Sequence, residues 1–125
     1  MKIRIEDGLP FVSVTISFQQ QQMELKNVIL DTGSAGTIFK YNAVKSIGIQ
    51  QDANDEIHRI CGVRGKEFVF TKHIDNIIMN DAEVVGFKAE IGTMEYGFPI
   101  DGILGLDFLS KIGAKIDLKE FQITT

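Results

Sequence analysis

Hydrophobic and polar residues alternate with a period of two over much of the chain. In residues 1–6 and 12–18 every second residue is apolar, and the residues between are charged or hydroxylic. A period of two predicts β-strands with one buried face. Further apolar stretches predict strands at 23–30, 37–39, 57–61, 66–70, 74–79, 84–91, 114–117 and 121–124.

Two segments, 42–48 and 107–112, are typical of short helices. Each begins at a residue suited to a helix N-cap, Asn42 or Asp107, and each ends at or just before a glycine. No longer helical pattern occurs. The sequence therefore predicts an all-β fold with one or two short helices.

Composition narrows the class of protein. With 125 residues and 44% hydrophobic content, residues 1–125 are expected to form a single domain. The net charge is −4 and the basic residues are scattered, so nucleic acid is not expected as a partner. No apolar run approaches the ~20 residues that cross a bilayer, so no membrane contact is expected. A single cysteine, Cys61, cannot form an internal disulfide, which favours the cytoplasm.

The strongest candidate for chemistry lies where an apolar strand ends at an acid. Val28–Leu30 are three consecutive aliphatic residues, typical of a strand buried on both faces, and Asp31-Thr32-Gly33-Ser34 follow directly. Taken alone, this tetrapeptide also fits an ordinary strand-end turn, because Asp, Thr and Gly are common turn residues.

A second motif near the other end of the chain favours a catalytic site at Asp31 over an ordinary turn. Ile103-Leu104-Gly105 is an apolar pair ending in glycine, and a predicted helix follows it. The two motifs together resemble the retropepsin-like aspartic peptidases, in which a catalytic Asp-Thr/Ser-Gly is followed late in the domain by two apolar residues, a glycine and a helix. The resemblance covers nearly the whole chain and implies a single-lobe acid-protease barrel, closed and pepsin-like, with a flap hairpin.

The resemblance also implies roles for particular residues. Asp31 would be the catalytic carboxylate, with Thr32 bracing it and Gly33 admitting the substrate backbone. The expected substrate-binding residues are those beside the motif, at the flap tip and in the loop before the second motif: Ser34, Gly62, Val63, Arg64, Gly65 and Phe98. The implied substrate is an extended peptide, and neither a metal nor another cofactor is expected.

Only one Asp-Thr-Gly motif is present, whereas peptide hydrolysis in this family requires two carboxylates. The other aspartates that could be compared, such as Asp75, Asp101 and Asp107, are not followed by Thr-Gly or Ser-Gly. The second carboxylate is therefore expected from another copy of the chain, in a homodimer with two-fold symmetry.

Two positions depart from the retroviral pattern. Retroviral members place an acid two residues after the motif glycine and an arginine after the late glycine, whereas this chain has Ala35 and Leu106. The sequence Gly105-Leu106-Asp107 is closer to cellular and bacterial members of the family. Viral polyprotein processing is therefore not favoured.

Other interpretations compete with the protease. His58, Cys61 and His73 could form a metal site, and residues 33–37 superficially resemble a phosphate-binding loop, although the Gly-Lys-Ser/Thr ending is missing. Serine or cysteine catalysis would need a histidine base, and neither histidine lies near a nucleophile motif. The main alternative is a peptide-binding module that keeps the fold without turnover.

Overall fold

The computed structural model describes residues 1–62 and 65–125, and within them ten strands and two short α-helices. The strands are β1 (Arg4–Glu6), β2 (Leu9–Phe18), β3 (Gln21–Leu30), β4 (Ile38–Lys40), β5 (Ile57–Gly62), β6 (Gly65–Met79), β7 (Ala82–Gly92), β8 (Gly102–Leu104), β9 (Lys115–Asp117) and β10 (Gln122–Thr124). The helices are α1 (Tyr41–Val44), which runs on into a 3-10 turn at Lys45–Ile47, and α2 (Leu106–Lys111). The expected all-β class is confirmed.

Six of the strands form a closed ring. Their order is β2, β3, β8, β4, β7 and β6, and the ring closes where β6 pairs with β2 through Thr15 and Ile78, Ile16 and Ile77, and Ser17 and Asn76. Strands β1 and β5 lie outside the ring, on β2 and β6 respectively. The ring places the ends of β3, β8 and β4 side by side.

The last three residues of β3, Val28–Leu30, are buried on both faces of the strand, as three consecutive aliphatic residues predict. Val28 and Leu30 belong to the main core, which also takes side chains from β2, β6, β7 and α2. Ile29 points to the opposite face and belongs to a second cluster. We call this the second cluster throughout; its buried members are Phe11, Ile29, Ile38, Val69, Met94 and Ile100. Asp31 therefore follows a segment whose position is fixed from two sides.

Strand β6 is longer than the sequence pattern predicts. Residues 66–70 and 74–79 were expected as separate strands, but β6 runs without a break through Lys72, which is only 7% exposed. The Lys72 ammonium lies 2.7 Å from an Asp52 carboxylate oxygen and 2.8 Å from one of Asp55. Burial lowers the pKa of Lys72, but the hydrogen bonds that its ammonium donates to these carboxylates outweigh this effect and hold the pKa above its usual value. A paired lysine can thus occupy the strand interior.

The helix starts differ from those predicted. The N-cap of α1 is Lys40 and that of α2 is Gly105, so Asn42 and Asp107 lie inside the first turns instead of capping them. The predicted end of the first helical segment is confirmed, since Gly48 adopts a left-handed conformation with φ of 91°. Within the described residues, no helix combines the length and apolar character needed to span a membrane.

Candidate active site

Asp31 is fixed at the end of β3 by the neighbouring strand. Strand β8 runs parallel to β3, with Ile29 opposite Ile103 and Leu30 opposite Leu104. The Asp31 amide continues this ladder by donating to the Leu104 carbonyl at 3.0 Å. The two motifs singled out in the sequence, 72 positions apart at Ile103 and Asp31, are therefore adjacent in the fold.

The loop that carries Asp31 passes around the end of β8 and returns on its other side as β4, which pairs antiparallel with β8. Within the loop, the Ser34 amide donates to the Asp31 carbonyl at 3.1 Å and the Ser34 hydroxyl donates to the Gly36 carbonyl at 2.8 Å. The Leu106 amide donates to the Ser34 carbonyl at 2.7 Å. These bonds fix the loop both internally and against the second motif.

Gly105 lies directly under this loop. A β-carbon at Gly105 would come within 2.6 Å of the Gly36 carbonyl carbon and 2.8 Å of the Ser34 carbonyl oxygen. Real side chains do not approach backbone atoms so closely, so only glycine fits. The late glycine of the motif is needed because two backbone segments touch there.

Thr37 and Asp107 lock the far end of the loop, a contact that sequence reasoning missed. The Thr37 hydroxyl donates to Asp107 Oδ1 at 2.7 Å and accepts the Gly105 amide at 3.0 Å. The Thr37 amide donates to Asp107 Oδ2 at 3.2 Å, and the Phe108 amide donates to Oδ1 at 2.7 Å. Because Asp107 was expected only as a helix cap, nothing in the sequence linked it to a residue 70 positions earlier.

Thr37→Val is expected to lower the free energy of unfolding by about 2–3 kcal/mol, because the buried Gly105 amide and the Asp107 carboxylate each lose a partner. Thr37→Ser keeps the hydroxyl and is the matched control. Urea unfolding at a fixed protein concentration measures both variants. A Thr37→Val protein within about 0.5 kcal/mol of Thr37→Ser would show that the lock does not stabilise the loop.

The Asp31 carboxylate is half-buried and has one hydrogen-bond partner in the described part of the chain, the Gly33 amide, which donates to Oδ1 at 2.9 Å. Thr32 and Gly33 are exposed. Because Oδ2 is not engaged in this way, the carboxylate is free to accept a proton or a hydrogen bond from outside the chain. One carboxylate can serve as a general base, but it cannot also supply the acid that amide cleavage needs.

The remaining predicted site residues are distributed over three segments. Ser34 is half-buried and bonded within the Asp31 loop. Gly62 and Gly65 are opposite each other at the last described pair of the β5–β6 hairpin, and Val63 and Arg64 lie outside the described residues. Phe98 is half-buried and packs against the second cluster. The hairpin therefore has the two-strand form expected of a flap.

A glutamate on β6, for which the sequence predicted no role, connects the β5–β6 hairpin to the loop that bears Phe98. Glu67 accepts a hydrogen bond from the Tyr96 hydroxyl at 2.8 Å. Burial, together with this hydrogen bond and the nearby carboxylate charge, raises the pKa of Tyr96 to about 12. The tyrosine is therefore a hydrogen-bond donor at all physiological pH values.

Within the described ranges, no group of three or more His, Cys, Asp and Glu side chains is arranged to hold a metal ion.

The strands form a closed ring, and the loop that carries Asp-Thr-Gly is braced by the strand of the late apolar-apolar-glycine motif. This combination defines a single acid-protease lobe. A model of the aspartyl protease family matches residues 12–108 of the sequence, a span that includes both motifs. The chain belongs to the aspartyl protease family and is an aspartic-type peptidase.

Comparison with solved structures confirms the retropepsin-like fold. The crystal structure of a retropepsin-like aspartic protease from Rickettsia conorii superimposes with a TM-score of 0.70 over 98% of this chain and 95% of that one, at 15% sequence identity. Comparison with curated proteins gives no match. The two chains thus share a fold at low sequence identity.

Proposed function

We propose that this protein is an endopeptidase that acts as a homodimer, in which each chain contributes Asp31 to one site on a two-fold axis. The observation that supports this most directly is the surroundings of Asp31. Its carboxylate is bonded only to Gly33 among the described residues, and the adjoining Thr32 and Gly33 are exposed. This surface can accept the same surface of a second copy, as a two-fold interface requires.

The two aspartates beside the second motif, Asp101 and Asp107, already hold other parts of the structure in place. Asp107 accepts hydrogen bonds from Thr37 and the Phe108 amide, and Asp101 accepts one from the Asn27 amide at 3.0 Å. If either side chain turned to bring its carboxylate against that of Asp31, these donors would lose their partners. The second carboxylate of the site is therefore better supplied by the partner's Asp31.

Two carboxylates in contact cannot both ionise, which is the known behaviour of aspartic-protease dyads, so the pair would share one proton. The ionised carboxylate takes a proton from a bound water as the water oxygen attacks the peptide carbonyl carbon. The protonated carboxylic acid donates its proton to the carbonyl oxygen, which gives a neutral tetrahedral diol. In the collapse of the diol, the carboxylate that is now ionised takes one hydroxyl proton, and the carboxyl group that was protonated by the water gives its proton to the amide nitrogen. The C–N bond breaks, and the pair again holds one proton. No covalent enzyme intermediate forms.

The substrate would be an extended peptide lying between the Asp31 loop and the flap. In this arrangement Thr32 braces the dyad across the axis, and Gly33 and Ser34 contact the peptide backbone. Residues 62–65, including Val63 and Arg64, would cover the peptide and exclude water. Phe98 would contact a substrate side chain, since it is only half-buried at the edge of the second cluster.

The proposal is tested by measuring mass and activity over the same range of protein concentrations. Sedimentation gives the monomer–dimer equilibrium, and cleavage of a denatured protein at mildly acidic pH gives activity per chain. We expect activity per chain to rise in parallel with the dimer fraction and a pepstatin-type inhibitor to block it. Constant activity per chain in solutions that contain only monomer would contradict the shared site, and a dimer without cleavage would support the peptide-binding module.

A further inference from the structure

Strands β6 and β7 separate next to the flap. In the described residues their ladder ends at Phe70 opposite Ile91. Beyond this point β6 continues towards the flap paired with β5, while β7 ends at Gly92. The chain then forms residues 93–101, which precede β8 and which we call the wall loop. Backbone pairing between β6 and β7 therefore does not fix the flap hairpin relative to the wall loop.

Glu67 joins the two segments where the ladder ends. One carboxylate oxygen, Oε2, accepts the Thr93 hydroxyl at 3.0 Å and the Met94 amide at 3.2 Å. The other, Oε1, accepts the Tyr96 hydroxyl at 2.8 Å. An ionised carboxylate only accepts hydrogen bonds, and here it is matched by three donors from one loop. In the β5–β6 hairpin, Glu67 pairs with Ile60 of β5.

Gly92, which has no side chain, leaves room for the Glu67 carboxylate. A β-carbon at Gly92 would lie 3.1 Å from Glu67 Oε2, 2.9 Å from the Val69 side chain and 3.0 Å from that of Ile38. Every side chain larger than hydrogen at this position would crowd the carboxylate. The strand end therefore has a shape that admits the Glu67 side chain.

The wall loop has a conformation that needs support. Met94 adopts a left-handed backbone with φ of 50°, although it is not glycine, and its side chain is fully buried. The Glu67 carboxylate accepts the amide of this same residue. Met94 belongs to the second cluster together with Val69 of β6, and Tyr96 and Phe98 pack against it. The loop and the base of the flap thus share both a polar link and an apolar contact.

We infer that Glu67 is a positioning residue that holds the part of the β5–β6 hairpin around it and the wall loop in one arrangement. It thereby sets the location of Phe98 and the selectivity of the proposed peptide-binding cleft between the Asp31 loop and the flap. The inference rests on the proposed function for the existence of a cleft that binds peptide. In the described part of the chain, the hydrogen bonds of the Glu67 side chain go to the wall loop and that of the Asp31 side chain to Gly33. Loss of Glu67 should therefore weaken binding of substrates that depend on the wall loop and leave the chemical step unchanged.

Hydrogen exchange tests the link without any measurement of activity. The full chain is compared with Glu67→Ala, with Glu67→Gln, which keeps an acceptor oxygen, and with Glu83→Ala, an exposed glutamate on β7. We expect the Met94 amide to exchange at least about tenfold faster in Glu67→Ala and nearly as in the wild type in the other two variants. Unchanged exchange of Met94 in Glu67→Ala would overturn the link.

Kinetics test the effect on selectivity. Two peptides are used that differ only in an aromatic residue or an alanine beside the cleaved bond. For Glu67→Ala we expect the KM of the preferred peptide to rise about tenfold, kcat to stay within about twofold, and the preference between the two peptides to shrink. Glu67→Gln should restore most of the preference. A fall in kcat with unchanged KM and preference, or kinetics equal to those of Glu83→Ala, would overturn the inference.

Tyr96→Phe gives a second variant should Glu67→Ala fold poorly. It removes one donor and keeps the aromatic ring, so a smaller change in the same direction is expected, and adding it to Glu67→Ala should change little further. A Tyr96→Phe effect that adds in full to that of Glu67→Ala would contradict a shared link. If the wild type itself does not cleave peptides, the proposed function fails and the selectivity effect fails with it, while Met94 exchange still reports on the link.

Discussion

Asp31→Asn is expected to reduce peptide cleavage by at least about 10³-fold, because the variant retains no carboxylate at either half of the site to take the proton from water. The fold should be unaffected. Asparagine keeps a carbonyl oxygen that can accept the Gly33 amide, the one hydrogen bond that the Asp31 side chain makes within the described residues. The loss should therefore appear in kcat, and the dimer should persist.

Cleavage of a denatured protein and sedimentation are measured together for this variant. Asp81→Asn is the matched control, since it makes the same chemical change at an exposed turn between β6 and β7. We expect the control to retain wild-type activity. Asp31→Asn activity within about tenfold of the wild type would show that another group carries the reaction.

Gly105→Ala is expected to lower the free energy of unfolding by about 3 kcal/mol or more, which is at the upper end of the cost of overpacking. Its β-carbon would collide with the backbone of Ser34 and Gly36, so one of the two segments must move. That movement would also disturb the hydrogen bonds from the Leu106 amide to Ser34 and from the Gly105 amide to Thr37. The variant should therefore lose activity as well as stability.

Gly36→Ala is the matched control, because Gly36 is the residue whose backbone a β-carbon at Gly105 would meet. A β-carbon at Gly36 has no atom within 4 Å, so this substitution should be neutral or stabilise by about 0.5 kcal/mol through the unfolded state. Denaturant unfolding of both variants at one protein concentration makes the comparison. Equal stability of Gly105→Ala and Gly36→Ala would rule out the close contact as the reason for the glycine.

The parts of the fold that could be predicted are those set by local patterns. The alternation in 12–18 predicts β2, and the three aliphatic residues Val28–Leu30 predict a strand with both faces buried. Asp31 could be singled out because a second motif, Ile103-Leu104-Gly105, accompanied the Asp-Thr-Gly motif, which alone also fits an ordinary turn. Local patterns reveal these features because side-chain periodicity follows burial.

The parts that could not be predicted depend on contacts between distant residues. The continuity of β6 depends on Lys72 being paired with Asp52 and Asp55, which no strand propensity indicates. The Thr37–Asp107 lock joins residues 70 positions apart, and the Glu67 link spans 26 to 29 positions. Each side chain is ordinary for its own segment, so its role becomes visible only when the fold brings the partners together.

The Asp31 loop is held at its start by Leu104, in its middle by Gly105 and Leu106, and at its end by Asp107. Among the loop residues, Thr32, Gly33 and Ala35 remain exposed. A loop braced in this way, with a half-buried carboxylate beside an exposed surface, is suited to meet an identical loop, because little conformational freedom is lost on association.

Mixing wild-type and Asp31→Asn chains tests most directly whether one site is built from two chains. The total protein concentration is held constant while the proportion of the variant is raised, and the mixture is given time to exchange subunits. If each site needs Asp31 from both chains, an equal mixture should retain about one quarter of the wild-type activity, since only dimers of two wild-type chains are active. Retention of about one half, in proportion to the wild-type chains present, would contradict the shared site.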